Sequence, residues 1–238
     1  MGIILDENPA APAGRIPAWS YSSLKDLAAC PYRLYLAKIK RHKKADKSPV
    51  LQRGIEVHEM CEQYIKGLVL EWPAEFKEWE DQFDELRELF STQKAYPECE
   101  LAFTRDWDQT AWFGDNTWAR FKADCIVQEN ETSYRLIDFK TGKKFGNEFS
   151  HAQQLQYYAA GLSMAFPTAE YIQAEMWYLD QPKTPKLNKS YTRDEVTLFV
   201  PKVTERGLSL TERETWAATP SDQSCRWCDM KEFCDYGV

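Results

Sequence analysis

The chain has 238 residues with a net charge of −7, and 43% of its residues are hydrophobic. Nine tryptophans, twelve tyrosines and twelve phenylalanines supply enough apolar surface for a packed core, which excludes an intrinsically disordered chain. The negative charge excludes nucleic-acid binding by overall charge alone, so such binding needs a local basic surface and bound cations.

The N-terminal residues and the apolar runs give no sign of export or membrane insertion. Residues 1–6 lack the basic region and the long apolar stretch of a signal peptide. No apolar run approaches the roughly 18 residues that are needed to span a bilayer. We therefore expect a cytoplasmic protein without a membrane partner, whose seven cysteines bind metal or pack in the core.

The first part of the chain is predicted to be helical after a loose arm. Residues 1–19 hold three prolines among Ala and Gly residues, which predicts an arm without regular structure. A helix is expected over residues 22–40, starting at two serines that can cap it and interrupted or re-angled at Cys30-Pro31. Apolar residues at helical spacing predict two more helices, over residues 51–69 and 74–90.

Shorter runs with β-branched and aromatic residues follow. Residues 100–107, 117–127 and 133–141 predict three consecutive antiparallel strands, separated by polar turns. A helix over residues 150–165 and an apolar strand over residues 171–179 come next.

The last part of the chain is predicted to mix loop, strand and helix. Residues 181–189 are rich in Pro and Lys and predict a loop, whereas the apolar run at residues 195–200 predicts a short strand. Residues 202–217 predict a helix. The order of all these elements predicts an α/β or α+β core with a helical annex.

One strand carries residues that are suited to phosphodiester chemistry. Asp138 and Lys140 alternate along it and therefore project from the same face. With Asp124 from a neighbouring strand, these side chains can hold a divalent metal and its attacking water. The alternative is a surface ion pair worth less than about 1 kcal/mol, because such pairs are common in ordinary strands.

Three cysteines crowd the C-terminal end of the chain. Cys225 and Cys228 form a Cys-x-x-Cys pair, Cys234 follows closely, and Cys30 is the best candidate for a fourth ligand. Intracellular sites rich in thiolates bind zinc or an iron–sulfur cluster, and the spacing does not separate the two. The alternative is a redox pair or small buried side chains. Core packing is the prediction for the other three: Cys61, Cys99 and Cys125.

A basic run over residues 38–44, followed by Lys47, is the one local cationic segment. It predicts either contact with phosphates or a solvated helix end, and both interpretations stay open.

The motifs together resemble a known family. They are Cys30-Pro31-Tyr32, Gly54-x-x-Val57-His58, Asp124, Asp138-x-Lys140, Gln154-x-x-x-Tyr158 and the three C-terminal cysteines. Over residues 22–234 the sequence resembles the RecB-type branch of the PD-(D/E)xK nucleases. In particular it resembles the iron–sulfur members, which are the AddB nuclease domain and the small CRISPR-associated exonucleases.

The resemblance implies an α/β, restriction-endonuclease-like core in which helices flank a mixed central sheet. It further implies an N-terminal helical annex that a metal cluster ties to the C-terminus. The expected organisation is a flexible arm over residues 1–19 and a single nuclease domain over residues 20–238. Within that domain we expect three parts: residues 20–95 (helical), 96–200 (catalytic core) and 201–238 (C-terminal helix and cysteines).

The same resemblance assigns roles to single residues. It implies a Mg²⁺ or Mn²⁺ site with three ligands: His58, Asp124 and Asp138. Lys140 would position or activate the nucleophile, and Gln154 and Tyr158 would hold DNA near the site. A 4Fe–4S cluster, with zinc as the alternative, would have four ligands: Cys30, Cys225, Cys228 and Cys234. Glu100 is a further acidic candidate with a looser match.

The function that the resemblance implies is a metal-dependent DNA nuclease, an exonuclease acting on single-stranded or frayed ends. A bacterial or phage origin is expected, with a recombination or CRISPR-adaptation protein as a candidate partner. The alternatives are a structure-specific endonuclease of the same superfamily and a DNA-binding or recombination accessory protein that does not cut. A regulatory module held together by zinc is a third alternative.

Overall fold

The computed structural model of the protein describes residues 13–43, 48–181 and 186–237. The strands of its one sheet are β1 (Ala95–Phe103), β2 (Ala119–Gln128), β3 (Ser133–Lys140), β4 (Tyr171–Tyr178) and β5 (Lys186–Thr192). The α-helices among the described residues are α1 (Tyr21–Ala29), α2 (Pro31–Lys38), α3 (Pro49–Ile65), α4 (Glu80–Ser91), α5 (Glu148–Ala165), α6 (Arg193–Thr211) and α7 (Asp222–Arg226). A 3-10 helix over Ala74–Trp79 precedes α4, and another over Lys231–Phe233 follows α7.

The sheet is mixed, and its strands lie side by side in chain order. Pairing is antiparallel between β1 and β2, between β2 and β3 and between β4 and β5, whereas β3 and β4 are parallel. A parallel pair needs a crossover connection, and α5 supplies it. The prediction of an α/β fold with a mixed central sheet flanked by helices is confirmed.

Two apolar cores cover the two faces of this sheet. On one face, Val57 of α3 and Phe83 of α4 belong to the same buried cluster as Phe139. On the other face, Leu155 of α5 packs in a cluster with Met176. Because both faces of the sheet pack against apolar cores, buried polar side chains on the strands are exceptions. These exceptions indicate where the functional site lies.

The described residues fall into two units, each with its own internal contacts. The larger unit consists of the described residues from 48 to 203 and contains the sheet, α3, α4, α5 and the first part of α6. The smaller unit combines residues 13–43 with residues 204–237 and contains α1, α2, α7 and the end of α6.

The smaller unit begins its first helix with a capping box. The Ser20 hydroxyl accepts a hydrogen bond from the Ser23 amide at 3.3 Å, and the Ser20 amide donates to the Ser23 hydroxyl at 2.8 Å. Such a box satisfies two amides that the helix itself leaves unpaired. The cap therefore lies at Ser20, slightly before the predicted start. Pro31 occupies the first turn of α2, Cys30 before it is extended, and the predicted interruption of the helix there is confirmed.

Part of the predicted loose arm is packed. Residues 1–12 lie outside the described residues, but Ile16 and Trp19 are buried. The Trp216 indole donates a hydrogen bond to the Gly14 carbonyl at 2.8 Å, and the Gly14 amide donates to the Glu214 carbonyl at 3.0 Å. The prediction of a loose arm is therefore wrong for residues 13–19, because the burial of two large apolar side chains holds this segment in place.

The structure also differs from the prediction beyond β4. Residues 186–189 were expected in a loop but lie in β5, which pairs with β4; residues 182–185 lie outside the described residues. The expected strand at residues 195–200 lies within helix α6. Its start is fixed by a second capping box, in which the Thr192 amide donates to Glu195 Oε2 at 2.8 Å and the Glu195 amide donates to Thr192 Oγ1 at 3.3 Å.

Candidate active site

Three acidic residues stand in one row across β1, β2 and β3. The pairs on either side of Glu98 set it opposite Asp124. The pairing of Cys125 with Ile137 then sets Asp124 opposite Asp138, one residue along each strand. Facing residues of neighbouring strands have Cβ atoms about 4.5–5.5 Å apart, so the carboxylates of such a row are brought together.

At these acids, β1 and β2 change the side of the sheet on which their alternate residues pack. In β1, Ala95 packs in the core under α3 and α4, whereas Leu101 packs in the core under α5. In β2, Cys125 packs in the core under α3 and α4, whereas Ala123 packs in the core under α5. A regular strand keeps residues with an even separation on one face, so both strands are twisted locally between these positions.

Glu98 carries the backbone irregularity that accompanies this change of face. Its φ angle is +52°, in the left-handed region that side-chain-bearing residues rarely adopt. Such a conformation costs roughly 1–2 kcal/mol and is concentrated at functional sites. The cost is consistent with a residue that is held in place for its side chain.

Asp138 is the most deeply buried acid of the row, with 2% of its surface exposed. Its Oδ1 accepts a hydrogen bond from Gln154 Nε2 at 2.8 Å, and its Oδ2 lies 2.6 Å from Lys140 Nζ. Burial raises the pKa of Asp138 above its ordinary value, the charge of Lys140 opposes the shift, and the charge of Asp124 adds to it. The carboxyl group is therefore a site that a proton and a cation compete for.

Asp124 is held from two sides. Its Oδ2 accepts a hydrogen bond from the Phe139 amide at 2.5 Å, and its Oδ1 lies 3.2 Å from Nδ1 of His58 on α3. Burial lowers the pKa of His58, but the hydrogen bond and charge of Asp124, together with the charge of Asp138, outweigh burial and raise it. The imidazole and the carboxylate are thus positioned as a pair.

A metal ion fits three of these side chains. His58, Glu98 and Asp124 each offer a ligand atom, and these atoms all lie within 4.8 Å of one another. Carboxylate oxygens with one imidazole suit Mg²⁺ or Mn²⁺. His58 and Asp124 were predicted as ligands, Glu98 was not, and Asp138 lies beside the group as the partner of Lys140.

Glu98 forms an ion pair with Lys122. Lys122 Nζ lies 2.5 Å from Glu98 Oε2 and 4.0 Å from Glu100 Oε1, and the Lys122 side chain is 46% exposed. Glu100, the acid that the sequence suggested, therefore lies next to Lys122 and does not belong to the ligand group found among the described residues.

Helix α5 brings the two remaining predicted residues to the site. Gln154 and Tyr158 are four residues apart and share one helix face. Tyr158 is half-buried, and burial, followed by the charge of Asp138, raises its pKa, so that the phenol stays neutral. A neutral phenol can donate a hydrogen bond to an anion.

One cleft of about 780 Å³ in the larger unit is lined by the acidic row together with His58, Lys122, Lys140, Gln154 and Tyr158, but not by Glu100. The structure therefore brings together every predicted residue of the nuclease site: His58, Asp124, Asp138, Lys140, Gln154 and Tyr158. The first two turns of α3 also line this cleft, which the sequence did not indicate.

The smaller unit holds the cysteine site. A cavity of about 20 Å³ is lined by the four predicted ligands: Cys30, Cys225, Cys228 and Cys234. All four are free thiols and half-buried. The Thr219 amide donates a hydrogen bond to Cys30 Sγ at 3.5 Å, and Arg33 also lines the cavity.

The other three cysteines lie in the larger unit, away from that cavity. Cys61 and Cys125 are fully buried, and Cys99 packs against the core under α5. Burial raises the pKa of Cys99 to about 11 and that of Cys125 to about 12. These thiols are inert packing groups, as their positions in patterned elements suggested.

The basic run contributes little that the structure describes. Residues 44–47 lie outside the described residues. His42 stacks on Phe233 with ring centroids 4.4 Å apart, and Lys40 Nζ lies 5.8 Å from the centre of the Tyr35 ring.

None of the helices in the described part of the chain is long and apolar enough to cross a membrane.

Comparisons with known proteins give a family match and similar solved structures. Residues 18–235 match the PD-(D/E)XK nuclease superfamily. The chain is similar to the crystal structure of SSO0001, with 16% identity, coverage of 94% of this chain and 89% of that one, and a TM-score of 0.45. It is also similar to the alkaline exonuclease LHK-Exo from Laribacter hongkongensis, with 11% identity, coverage of 83% and 89%, and a TM-score of 0.41. A search of curated proteins gives no match.

Proposed function

The chain belongs to the PD-(D/E)XK nuclease superfamily, and we propose that this member is a metal-dependent deoxyribonuclease that degrades DNA from single-stranded or frayed ends. One observation carries the proposal. Asp138 and Lys140 lie 2.6 Å apart in the same cleft as the ligand group of His58, Glu98 and Asp124. Asp138 is only 2% exposed, and this burial supports a role in the site over the alternative of a weak surface ion pair.

His58, Glu98 and Asp124 would hold the metal. Bound there, Mg²⁺ or Mn²⁺ supplies a water that is easily deprotonated and a positive charge beside the phosphate. The protein fixes two of these ligands before binding, because the Phe139 amide and His58 already hold Asp124 from opposite sides. Preorganised ligands lose little freedom when they bind.

Lys140 supplies the second positive charge of the site. Its ammonium is fixed by Asp138, whose other oxygen is fixed by Gln154. A fixed cation stabilises the negative charge that develops on the phosphate oxygens as the attacking water adds in line. Tyr158 and Gln154 lie on the helix that faces this point, and we assign them the phosphate of the neighbouring nucleotide.

DNA end specificity is taken from the motif resemblance and is the finer part of the proposal. The test is digestion of end-labelled single-stranded and duplex DNA by the purified protein with Mn²⁺ or Mg²⁺, against a chelator control. We expect labelled mononucleotides or short fragments only when metal is present. Intact DNA in all reactions would refute a cutting enzyme and favour the accessory-protein alternative.

A circular single-stranded substrate distinguishes the proposed exonuclease from the alternative of an endonuclease. An exonuclease needs an end and leaves the circle intact, while it consumes the same sequence once linearised. Cleavage of the circle at a rate similar to that of the linear strand would instead identify an endonuclease of the same superfamily. A matched RNA strand in the same series tests whether the sugar is discriminated.

We propose that the cysteine site holds a 4Fe–4S cluster. Four free thiols line one cavity, and the Thr219 amide already donates to one sulfur, as amides do to the sulfurs of such clusters. A single zinc needs sulfurs about 3.8 Å apart, because each Zn–S bond is about 2.3 Å. Among the described residues, no three cysteines have their sulfurs all within 4.8 Å of one another, and the choice of a cluster over zinc is taken from the motif resemblance.

A further inference from the structure

The first two turns of α3 expose aliphatic side chains inside the cleft. Val50, Leu51 and Ile55 are 78%, 54% and 38% exposed, and all three line the cleft that contains the acidic row. Exposed apolar residues that are scattered over a surface need no explanation. A group of three within a functional cleft indicates contact with an apolar part of the ligand.

This exposed group is separate from the core-facing side of the same helix. Val57, Cys61 and Tyr64 follow one another at helical spacing and are buried in the core under α3 and α4. Leu51 and Ile55 lie on a different face, which in the first two turns of the helix carries no residue of that core. These two turns therefore have an apolar side that the core does not use.

The second face leads directly to the candidate metal site. Leu51, Ile55 and His58 are spaced at i, i+4 and i+7 and share one face of α3. At a rise of 1.5 Å per residue, Ile55 lies about 4.5 Å and Leu51 about 10 Å along the axis from His58. This is about the distance from a phosphate to the base of its own or the next nucleotide.

The part of this face that precedes His58 is firmly placed and uncharged, whereas Glu59 and Glu62 line the cleft beyond it. Ser48 Oγ accepts a hydrogen bond from the Leu51 amide at 3.2 Å and caps the helix just before these residues. Arg53, the cation in this stretch, donates to both oxygens of Asp180 at 2.8 and 2.9 Å. The ligand beside Val50, Leu51 and Ile55 is therefore apolar, although its neighbour at Lys140 is anionic.

A nucleotide with an unpaired base has both parts. Base faces are hidden by stacking in a duplex, and they become available for contact with side chains in a single strand. Resting on the proposed function, we infer that Val50, Leu51 and Ile55 form a base-contact surface beside the scissile phosphate. This surface gives the enzyme its preference for unpaired ends.

A coupled deletion of side chain and base tests the inference. The double variant Leu51→Ser with Ile55→Ser is compared with wild type on a single strand, on the same strand with abasic residues at its two ends, and on a blunt duplex. We expect kcat/KM on the normal strand to fall about fivefold to tenfold, mostly through KM. On the abasic strand the wild-type advantage should vanish, because the interaction partner is gone.

Matched controls keep the result specific. Leu198 on α6 is 82% exposed and does not line the cleft, so Leu198→Ser should leave all three rates unchanged. Melting temperatures and the stabilisation by Mn²⁺ should be the same in all variants, which reports an intact fold and metal site. Val50→Ser, a single change at the most exposed position, gives a milder version of the same loss.

Two kinds of failure are distinguishable. If wild type cuts no DNA with either metal, the proposed function fails and this inference fails with it. If wild type cuts, but the double variant loses nothing, or loses equally on normal, abasic and duplex DNA, only the base-contact surface is refuted. In that case an apolar protein partner is the better explanation of the exposed face.

Discussion

Glu98 is the residue of the site that sequence reasoning did not identify. The predicted strand began at residue 100, and no local pattern gives the register that sets Glu98 opposite Asp124. The φ angle of +52° is equally a product of the assembled sheet. Asp138 and Lys140 were recognisable because their alternation is a property of one strand alone.

Metal affinity separates Glu98 from Glu100. We expect Glu98→Gln to weaken Mn²⁺ binding by at least about tenfold, because it removes a charged ligand from the group. Glu100→Gln is the matched control, since Glu100 lies two residues along the same strand and shares the contact with Lys122. Calorimetric titration of both variants measures the difference. Equal affinities in both would remove Glu98 from the site.

The protonation of His58 predicts how metal binding depends on pH. The pKa of His58 is raised above its ordinary 6.5, and a protonated imidazole has no lone pair for a metal. Metal binding must therefore displace a proton below that raised pKa, and the raised pKa of Asp138 acts in the same direction. Stabilisation by Mn²⁺ should be small at about pH 5.5 and grow toward about pH 8. Melting temperatures with and without Mn²⁺ test this, and a shift that is flat across the range would contradict it.

Two helix starts show what local sequence encodes at the scale of elements. The break at Pro31 was predicted because proline cannot continue a helix beyond its first turn. The start of α6 was missed, although Thr192 and Glu195 spell the capping-box motif three residues apart. The β-branched run that follows them favoured a strand, and the capping signal decided otherwise.

Strand β5 was missed for a different reason. Its sequence is polar and half-exposed, and only its pairing with β4 makes it a strand. Such edge pairing depends on the neighbouring strand and not on the propensity of the segment itself. Elements whose identity comes from a partner lie beyond what the local pattern predicts.

The seat of α5 on the sheet can be tested with a pair of glycines. A Cβ atom at Gly161 would lie 2.8 Å from Cγ of the buried Phe121, so Gly161→Ala forces ring or helix to move. We expect a loss of about 1–3 kcal/mol, which lowers the melting temperature by roughly 3–10 °C.

Gly54→Ala is the matched control for this substitution. Its nearest neighbour would be Thr141 Oγ1 at 3.6 Å, an ordinary contact, and alanine favours the helix by about 1 kcal/mol. The melting temperature should therefore stay the same or rise. If the two alanine variants behave alike, the close approach of α5 to β2 at Gly161 is refuted.

At the scale of the whole molecule, the order of elements up to β4 was predictable and their pairing was not. Alternating and helical patterns identified strands β1 to β4 and helices α1 to α5, and the resemblance supplied the mixed sheet. The change of face at Glu98 and Asp124 depends on contacts across the sheet. The site was therefore predicted as a set of residues, while its ligand group required the structure.

The four cysteines of the smaller unit come from distant parts of the sequence, so the cluster that we propose there should matter for the stability of that unit. Cys30 is separated from Cys225 by most of the sequence, and a cluster closing so long a loop stabilises the folded state. We expect anaerobically purified protein to contain iron, and Cys228→Ser to lose the iron and melt at lower temperature. Cys99→Ser, which lies outside the cavity, should keep it. Stoichiometric zinc in place of iron would refute the cluster.

The most direct test of the whole account is Mn²⁺-dependent cleavage of end-labelled single-stranded DNA by wild type, Asp138→Asn and Lys140→Met. Each substitution roughly keeps the size of the side chain while removing its charge, and Lys143→Met serves as the control on the adjoining loop. The account predicts that both site variants lose at least about a hundredfold in kcat with unchanged folding, whereas the control cuts normally. Cleavage at wild-type rates by folded Asp138→Asn or Lys140→Met would contradict it.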